Sequence, residues 1–239
     1  KQLEEYFKRE IVNQEKEFCN KDRSFCTQGA WWHSVDLYEA IKEDIASDDC
    51  EVVSFDIFDT LICRPFFYPT DLFHLLDCYI NEWVPSTDYL VFANIRQEAE
   101  NCARKRKALV SPSWEEVTLD EIYAEVGRLC PNLSPYIKQI QEKEIELELK
   151  YCKVRHSGQE LLECALACGK KAICTSDMYL PEKIVKKILE KNGLSGISQI
   201  YISSELGLTK ASGNLFSHVL KKEGLDKGLK YMVHIGDNW

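Results

Sequence analysis

Apolar residues recur along this chain with two different periods, and the change of period divides it. Over residues 1–49 the spacing is helical. Leu3, Phe7 and Ile11 fall at every fourth position, and Ser34 stands where it would cap a helix carrying Leu37, Tyr38, Ile41 and Ile45. This stretch reads as a solvent-facing N-terminal helical extension. The run from Glu51 to Asp59, Glu-Val-Val-Ser-Phe-Asp-Ile-Phe-Asp, is instead β-branched and aromatic, and suits a buried strand ending in carboxylates.

From residue 66 to 155 helical spacing returns. Leu72, Phe73, Leu76, Tyr79, Ile80 and Trp83 share one face, and a second helix is predicted from Tyr89 to Leu109. Thr118-x-x-Glu121 is a capping box, in which each side chain can bond the other's backbone amide. Ser134-Pro135 announces a further helix running to about Tyr151, because proline suits a first helical position that needs no amide partner. This block is an all-helical insert.

After it the periods alternate. Helices are predicted from Ser157-x-x-Glu160 to Cys168, Pro181 to Lys191 and Ser212 to Lys222, and strands over Lys171–Thr175, Gln199–Ser203 and Lys230–Ile235. Such alternation implies an α/β fold with a Rossmann-like parallel sheet covered on both faces. Residues 50–65 must rejoin residues 156–239 to bury the first strand.

The chain has 239 residues and 45 % hydrophobic content, enough for a sizeable core. Its net charge of -9, from 39 acidic against 30 basic residues, argues against a nucleic-acid partner. No apolar run approaches the roughly 18 residues of a membrane span, and no signal-peptide stretch opens the chain, so a cytoplasmic location is expected. The 11 cysteines are odd in number and contain no Cys-x-x-Cys, which points to free thiols. The five histidines do not sit at zinc-ligand spacing from any cysteine pair.

Four predicted strand ends carry polar residues. They are Asp56, Asp59 and Thr60; Thr175, Ser176 and Asp177; Ser203 and Ser204; and Asp237 with Asn238, while Lys210 follows the third strand by a short loop. Singly, each is a turn residue, a helix cap or a surface lysine. Together they fall at the carboxyl ends of one sheet, where ligands of such folds bind. A carboxylate nucleophile, a hydroxyl, a lysine and further acids around one point are a kit for displacement at phosphorus assisted by a metal ion, and magnesium suits oxygen ligands.

The segment Ser54-Phe-Asp56-Ile-Phe-Asp59-Thr60-Leu-Ile-Cys-Arg64 resembles the first signature of the haloacid dehalogenase-like (HAD) hydrolases. Ile173-Cys-Thr-Ser176-Asp resembles the second, Lys210-Ala-Ser-Gly-Asn-Leu-Phe216 the lysine signature, and His234-Ile-Gly-Asp237-Asn the acidic fourth. Their order and intervals agree over residues 51–239, and the insert at 66–155 sits where the family's C1 cap sits. The resemblance implies that Asp56 forms an aspartyl-phosphate, that Ser176 bonds the transferring phosphoryl and that Lys210 steadies both. It also implies Mg2+ held by Asp56, the carbonyl of Phe58 and Asp237. The wording around Asp56, Arg64 and Ser176-Asp-Met-Tyr-Leu is similar to HAD domains attached to bacterial glycosyltransferases of surface-polysaccharide synthesis, which implies a covalently linked glycosyltransferase.

One position departs from the family's phosphatases. Many carry an acid two residues after the nucleophile, but Phe58 stands there, and Asp59 one place later would point to the other face of a strand that had not yet turned. Dehalogenase members have an aromatic residue at that position. The expected function is Mg-dependent phosphoryl transfer from a small phosphorylated metabolite, a sugar phosphate, with Thr60, Asp59 and Arg64 meeting the substrate and Arg96 and Arg104 as further anion-binding candidates. The alternatives are a 2-haloacid dehalogenase and a non-catalytic HAD-like binding module. The family pattern further implies a second acid and a fifth strand after Asp237, so the natural protein is expected to continue past Trp239.

Overall fold

A computed structural model of the chain describes residues 35–66, 68–85, 90–228 and 230–237. The helix expected through Leu3, Phe7 and Ile11, the Ser34 cap and Asn238 lie outside these residues. Strands β1 (Cys50–Phe55), β4 (Lys171–Ser176), β5 (Ile197–Ile202) and β6 (Tyr231–Ile235) form a parallel four-stranded sheet in the order β5-β4-β1-β6. The apolar character of β1 explains its place between β4 and β6: Val52, Val53 and Phe55 are buried on alternate faces. Val52 packs with Ile173, Leu215 and Val219, while Val53 and Phe55 belong to the larger core.

The path from β1 leads to β4 and then β5 on one side, and returns to β6 on the other. The strand order therefore reverses beside β1, and a crevice opens beyond the carboxyl ends of the strands there. Helices α6 (His156–Ala167), α7 (Glu182–Lys191), the short α8 (Ser203–Leu206) and α9 (Asn214–Lys222) fill the connections. The helix α1 (Val35–Ala46) buries Ile41 and Ile45 and lies against α6, where Tyr38 Oη donates to Glu160 Oε2 at 2.9 Å. That packing corrects the solvent-facing expectation for this stretch.

The helical insert holds α2 (Asp71–Trp83), α3 (Phe92–Val110), α4 (Leu119–Leu129) and α5 (Ile137–Tyr151). Its entry and exit are the two-residue strands β2 (Ile62–Cys63) and β3 (Lys153–Val154), paired antiparallel. The Thr118 capping box is present: Thr118 Oγ1 accepts from the Glu121 amide at 3.2 Å, and Glu121 Oε2 accepts from the Thr118 amide at 2.9 Å.

Two other helix starts differ from expectation. Pro131–Tyr136 is a 3-10 turn and α5 begins at Ile137, because the Ser134 hydroxyl bonds back to the Gly127 carbonyl instead of capping forward. Ser157 does not cap α6 but lies inside its first turn, after Arg155. Tertiary contacts set that start. The Arg155 amide donates to Leu61 O at 2.8 Å, and Gly158 approaches the Thr60 carbonyl so closely that a Cβ would lie 2.0 Å from its oxygen. The nine described cysteines are free thiols, and among the described residues no helix is long and apolar enough to cross a membrane.

Candidate active site

Asp56 is the first residue beyond β1, and its amide continues the ladder to Ile235 O at 2.8 Å. The residue is 6 % exposed. Asp56 Oδ1 accepts from Ser176 Oγ and from the Ile57 amide, both at 2.7 Å, and Oδ2 accepts from Lys210 Nζ at 2.5 Å. Charge-assisted bonds of this kind hold a carboxylate in one orientation. Lys210 is fixed at both ends, because its amide donates to the two oxygens of Asp177 at 2.9 and 3.0 Å. Residues from the ends of β1 and β4 and from the loop after β5 thus meet at one point.

A polar floor lies behind the nucleophile. Ser54 Oγ donates to Thr175 Oγ1 at 2.8 Å, and His234 Nδ1 lies 3.0 Å from Ser54 Oγ. The His234 ring meets Phe216 edge-on at 4.8 Å. Burial, helped by the positive charge of Lys210 and opposed by Asp56, pulls His234 down to about 4, so it is neutral near pH 7.

Acids crowd the same crevice. Burial raises the carboxyls of Asp59, Asp177 and Asp237 above the usual range. The charge of Asp56 pushes each further, and Asp59 adds to the push on Asp237. The chain has already turned by Asp59, whose φ is +57°, so strand alternation no longer applies and its carboxyl is felt by both Asp56 and Asp237. Arg155 Nη1 holds this turn by donating to Asp59 O at 2.5 Å.

Thr60 is fully buried, and its Oγ1 finds no hydrogen-bond partner. Two arginines expected to meet an anion are already paired. Arg96 is 0 % exposed: its Nε and Nη2 donate to Glu144 at 2.9 Å each, beneath Tyr123 Oη, which donates to the same carboxylate at 2.6 Å. Arg104 is bound by Glu100 and Glu116. A buried guanidinium needs a carboxylate partner, and α5 supplies one in Glu144. Arg64 does border the site, with its guanidinium 4.3 Å from the Phe58 ring centre, but its Nε and Nη2 are taken up by Glu148 at 2.8 and 2.7 Å.

Sequence reasoning placed no role on His234, Arg155 or Glu115, a residue of the α3–α4 connection that reaches the lysine loop. None carries a local signal, since each matters through a partner far along the chain.

The donor set fits the metal that the resemblance implies. Asp56, Asp237 and the Phe58 carbonyl are all oxygen donors, as magnesium prefers. Burial and then the charges of Asp56 and Asp59 raise the half-buried Asp237 carboxyl, and a cation bound there would oppose those two charges. Among the described residues no three His, Cys, Asp or Glu side chains stand together as a metal cage, so the fit rests on two carboxylates and one main-chain oxygen.

The parallel sheet with a helical insert between the first two of its strands is a fold shared with solved dehalogenases. Solved structures with this fold include a dehalogenase in complex with an intermediate, at a TM-score of 0.50 and 11 % identity over 80 % of this chain and 78 % of that one. Another is the L-2-haloacid dehalogenase RSc1362, at a TM-score of 0.51 and 12 % identity over 80 % and 79 % of the two chains. At these identities the likeness is one of fold. No family model and no curated relative matches the chain.

Proposed function

We propose that this chain is a HAD-type hydrolase in which the Asp56 carboxylate displaces a leaving group, which departs with the bonding electrons, from a small substrate and forms a covalent acyl intermediate that water then hydrolyses. The reading we favour is phosphoryl transfer from a small phosphorylated metabolite, a sugar phosphate, through an aspartyl-phosphate. The observation that carries it is the setting of the nucleophile: Asp56 takes Ser176 on one oxygen and Lys210 on the other, while Asp59, Asp177 and Asp237 lie near enough to feel its negative charge. Magnesium held by Asp56, Asp237 and the Phe58 carbonyl would offset that charge and neutralise phosphoryl oxygens. Ser176 orients the attacking oxygen, Lys210 stabilises the charge that builds up beside it, and the helical insert excludes water and selects the leaving group.

A second reading, 2-haloacid dehalogenation, is supported by Phe58 and by the dehalogenase structures that share the fold. Here Asp56 Oδ attacks the halogen-bearing carbon, the halide departs with the bonding electrons, and no proton donor is required, so the missing acid costs nothing. Against it stands the seating of an anionic carboxylate among four acids. The arginines once expected to receive an anion are bound by Glu148, Glu144 and Glu116.

A single panel separates the readings. Phosphomonoesters and L-2-chloropropionate are incubated with the chain, with magnesium or with chelator, and free phosphate and chloride are measured. Magnesium-dependent phosphate release is expected. Chloride release without phosphate release would establish the second reading, and release of neither would leave a binding module, covalently linked to a glycosyltransferase or not.

A further inference from the structure

The connection between α3 and α4 does more than join two helices of the insert. Trp114 lays its indole over Gly207, where φ is +69° and a Cβ would come within 2.3 Å of the ring. The Glu115 amide donates to Gly207 O at 2.8 Å. The Glu115 carboxylate then receives the loop that follows: Oε2 accepts from the Thr209 amide at 2.8 Å, from Thr209 Oγ1 at 3.1 Å and from Ser212 Oγ at 2.6 Å, and Oε1 accepts from Asn214 Nδ2. These donors flank Lys210 on both sides. Its own amide is held by Asp177, and its Nζ reaches Asp56.

We propose that Glu115 is a positioning residue for Lys210, through which the helical insert sets the lysine against the nucleophile. The loop from Gly207 to Asn214 lacks the ladder of a strand; Asp177 holds the Lys210 amide, turns within the loop tie Gly213 to Lys210 and Leu215 to Thr209, and Glu115 braces Thr209, Ser212 and Asn214 from the insert. Four donors converge on two oxygens, and an ionised carboxylate accepts from all of them as they stand, whereas a carboxamide has one oxygen and sets an NH2 against Asn214 Nδ2 or against the Thr209 and Ser212 donors. The α3–α4 connection is bonded to the lysine loop through both the Glu115 amide and its carboxylate, so movement of this connection displaces Lys210. The charge that stabilises the attack is therefore in place only when the insert is seated. This inference rests on Asp56 and Lys210 acting as the covalent centre described above.

The test uses the full chain with Glu115→Gln, Glu115→Ala and Glu115→Asp, each also made in a Lys210→Ala background. Turnover is measured on whichever class of substrate the wild type accepts. Glu115→Gln and Glu115→Ala are expected to lower kcat on the order of tenfold to a hundredfold with KM little changed, as for a displaced catalytic group. Glu115→Asp restores part of the loss. In the Lys210→Ala background the same changes have no further effect, because the group they position is gone.

Competitive acetylation read by mass spectrometry supplies a measurement free of any activity. Lys210 should acetylate several times faster relative to the other lysines once Glu115 is replaced, because its amine leaves Asp56. Equal kcat losses with and without Lys210 would overturn the proposal, as would unchanged Lys210 acetylation in folded Glu115 variants. A wild type that turns over nothing would remove the hydrolase reading, and the acetylation result would still decide whether Glu115 places Lys210.

Discussion

Gly158 of α6 stands directly against the carbonyl of Thr60, with no space for a side chain between them: a Cβ there would lie 2.0 Å from the carbonyl oxygen. The contact fixes the turn that follows the nucleophile, and it opposes two effects of a Gly158→Ala change. Alanine gains about 1 kcal/mol of helix propensity. Overpacking against a backbone atom that cannot swing away costs about 1–3 kcal/mol or more. The clash should win, and Gly158→Ala should melt below the wild type by scanning calorimetry. An equal or higher Tm would mean that the helix start is not fixed by this contact.

Asp56→Asn keeps the shape of the side chain and an oxygen for Ser176 and the Ile57 amide, but removes the nucleophilic charge. Turnover should vanish in either reading of the chemistry, while circular dichroism stays that of the wild type. Wild-type rates in the folded variant would dismiss Asp56 as the nucleophile.

Phe58 has no proton to give where phosphatases of this fold place an acid. General acid catalysis contributes about 10²–10⁴ in rate, so an alkyl phosphate should lag an aryl phosphate by a margin of that order. Phe58→Asp should narrow the margin. Equal, fast rates on both esters in the wild type would show that another residue supplies the proton.

Arg96 and Glu144 are both fully buried and joined by a two-point contact. Removing one partner leaves a buried charge, at a cost of about 3–5 kcal/mol. Urea unfolding should show Arg96→Met to be more damaging than the double change Arg96→Met with Glu144→Leu. If the double variant is the weaker of the two, Glu144 stabilises even without Arg96, through the Tyr123 hydroxyl that donates to it.

His234 ties stability to pH. Its folded-state value is drawn down to about 4 from the ordinary 6.5, so the unfolded chain binds the extra proton first. This contribution is complete above pH 6.5, is lost as pH falls from 6.5 towards 4, and levels off below that. The full span corresponds to roughly 3 kcal/mol. The loss of unfolding free energy between pH 7 and pH 4.5 should be smaller in His234→Gln than in the wild type, measured by denaturant titration; identical losses would show that His234 is not the group responsible.

Periodicity and motif spacing alone determine much of this protein: the strand run ending at Asp56, the alternation after residue 156, the Thr118 capping box, and the order in which acid, hydroxyl, lysine and acid reach the strand ends. These are local properties, since a strand's apolar run and a cap's three-residue offset depend on neighbours in sequence. Tertiary structure decided what depends on partners far along the chain. Arg96 is a plausible surface or anion-binding residue until α5 places Glu144 on it, 48 positions away. Asp59 would point away from the nucleophile in an extended strand, but the backbone enters the left-handed region there and its carboxyl feels the charge of Asp56. Glu115 is an ordinary linker glutamate until folding brings Thr209, 94 positions on, within hydrogen-bond reach of its carboxylate. A charged side chain carries no mark of its partner, because the free energy that pairs it comes from desolvation at a contact that exists only after the chain has closed.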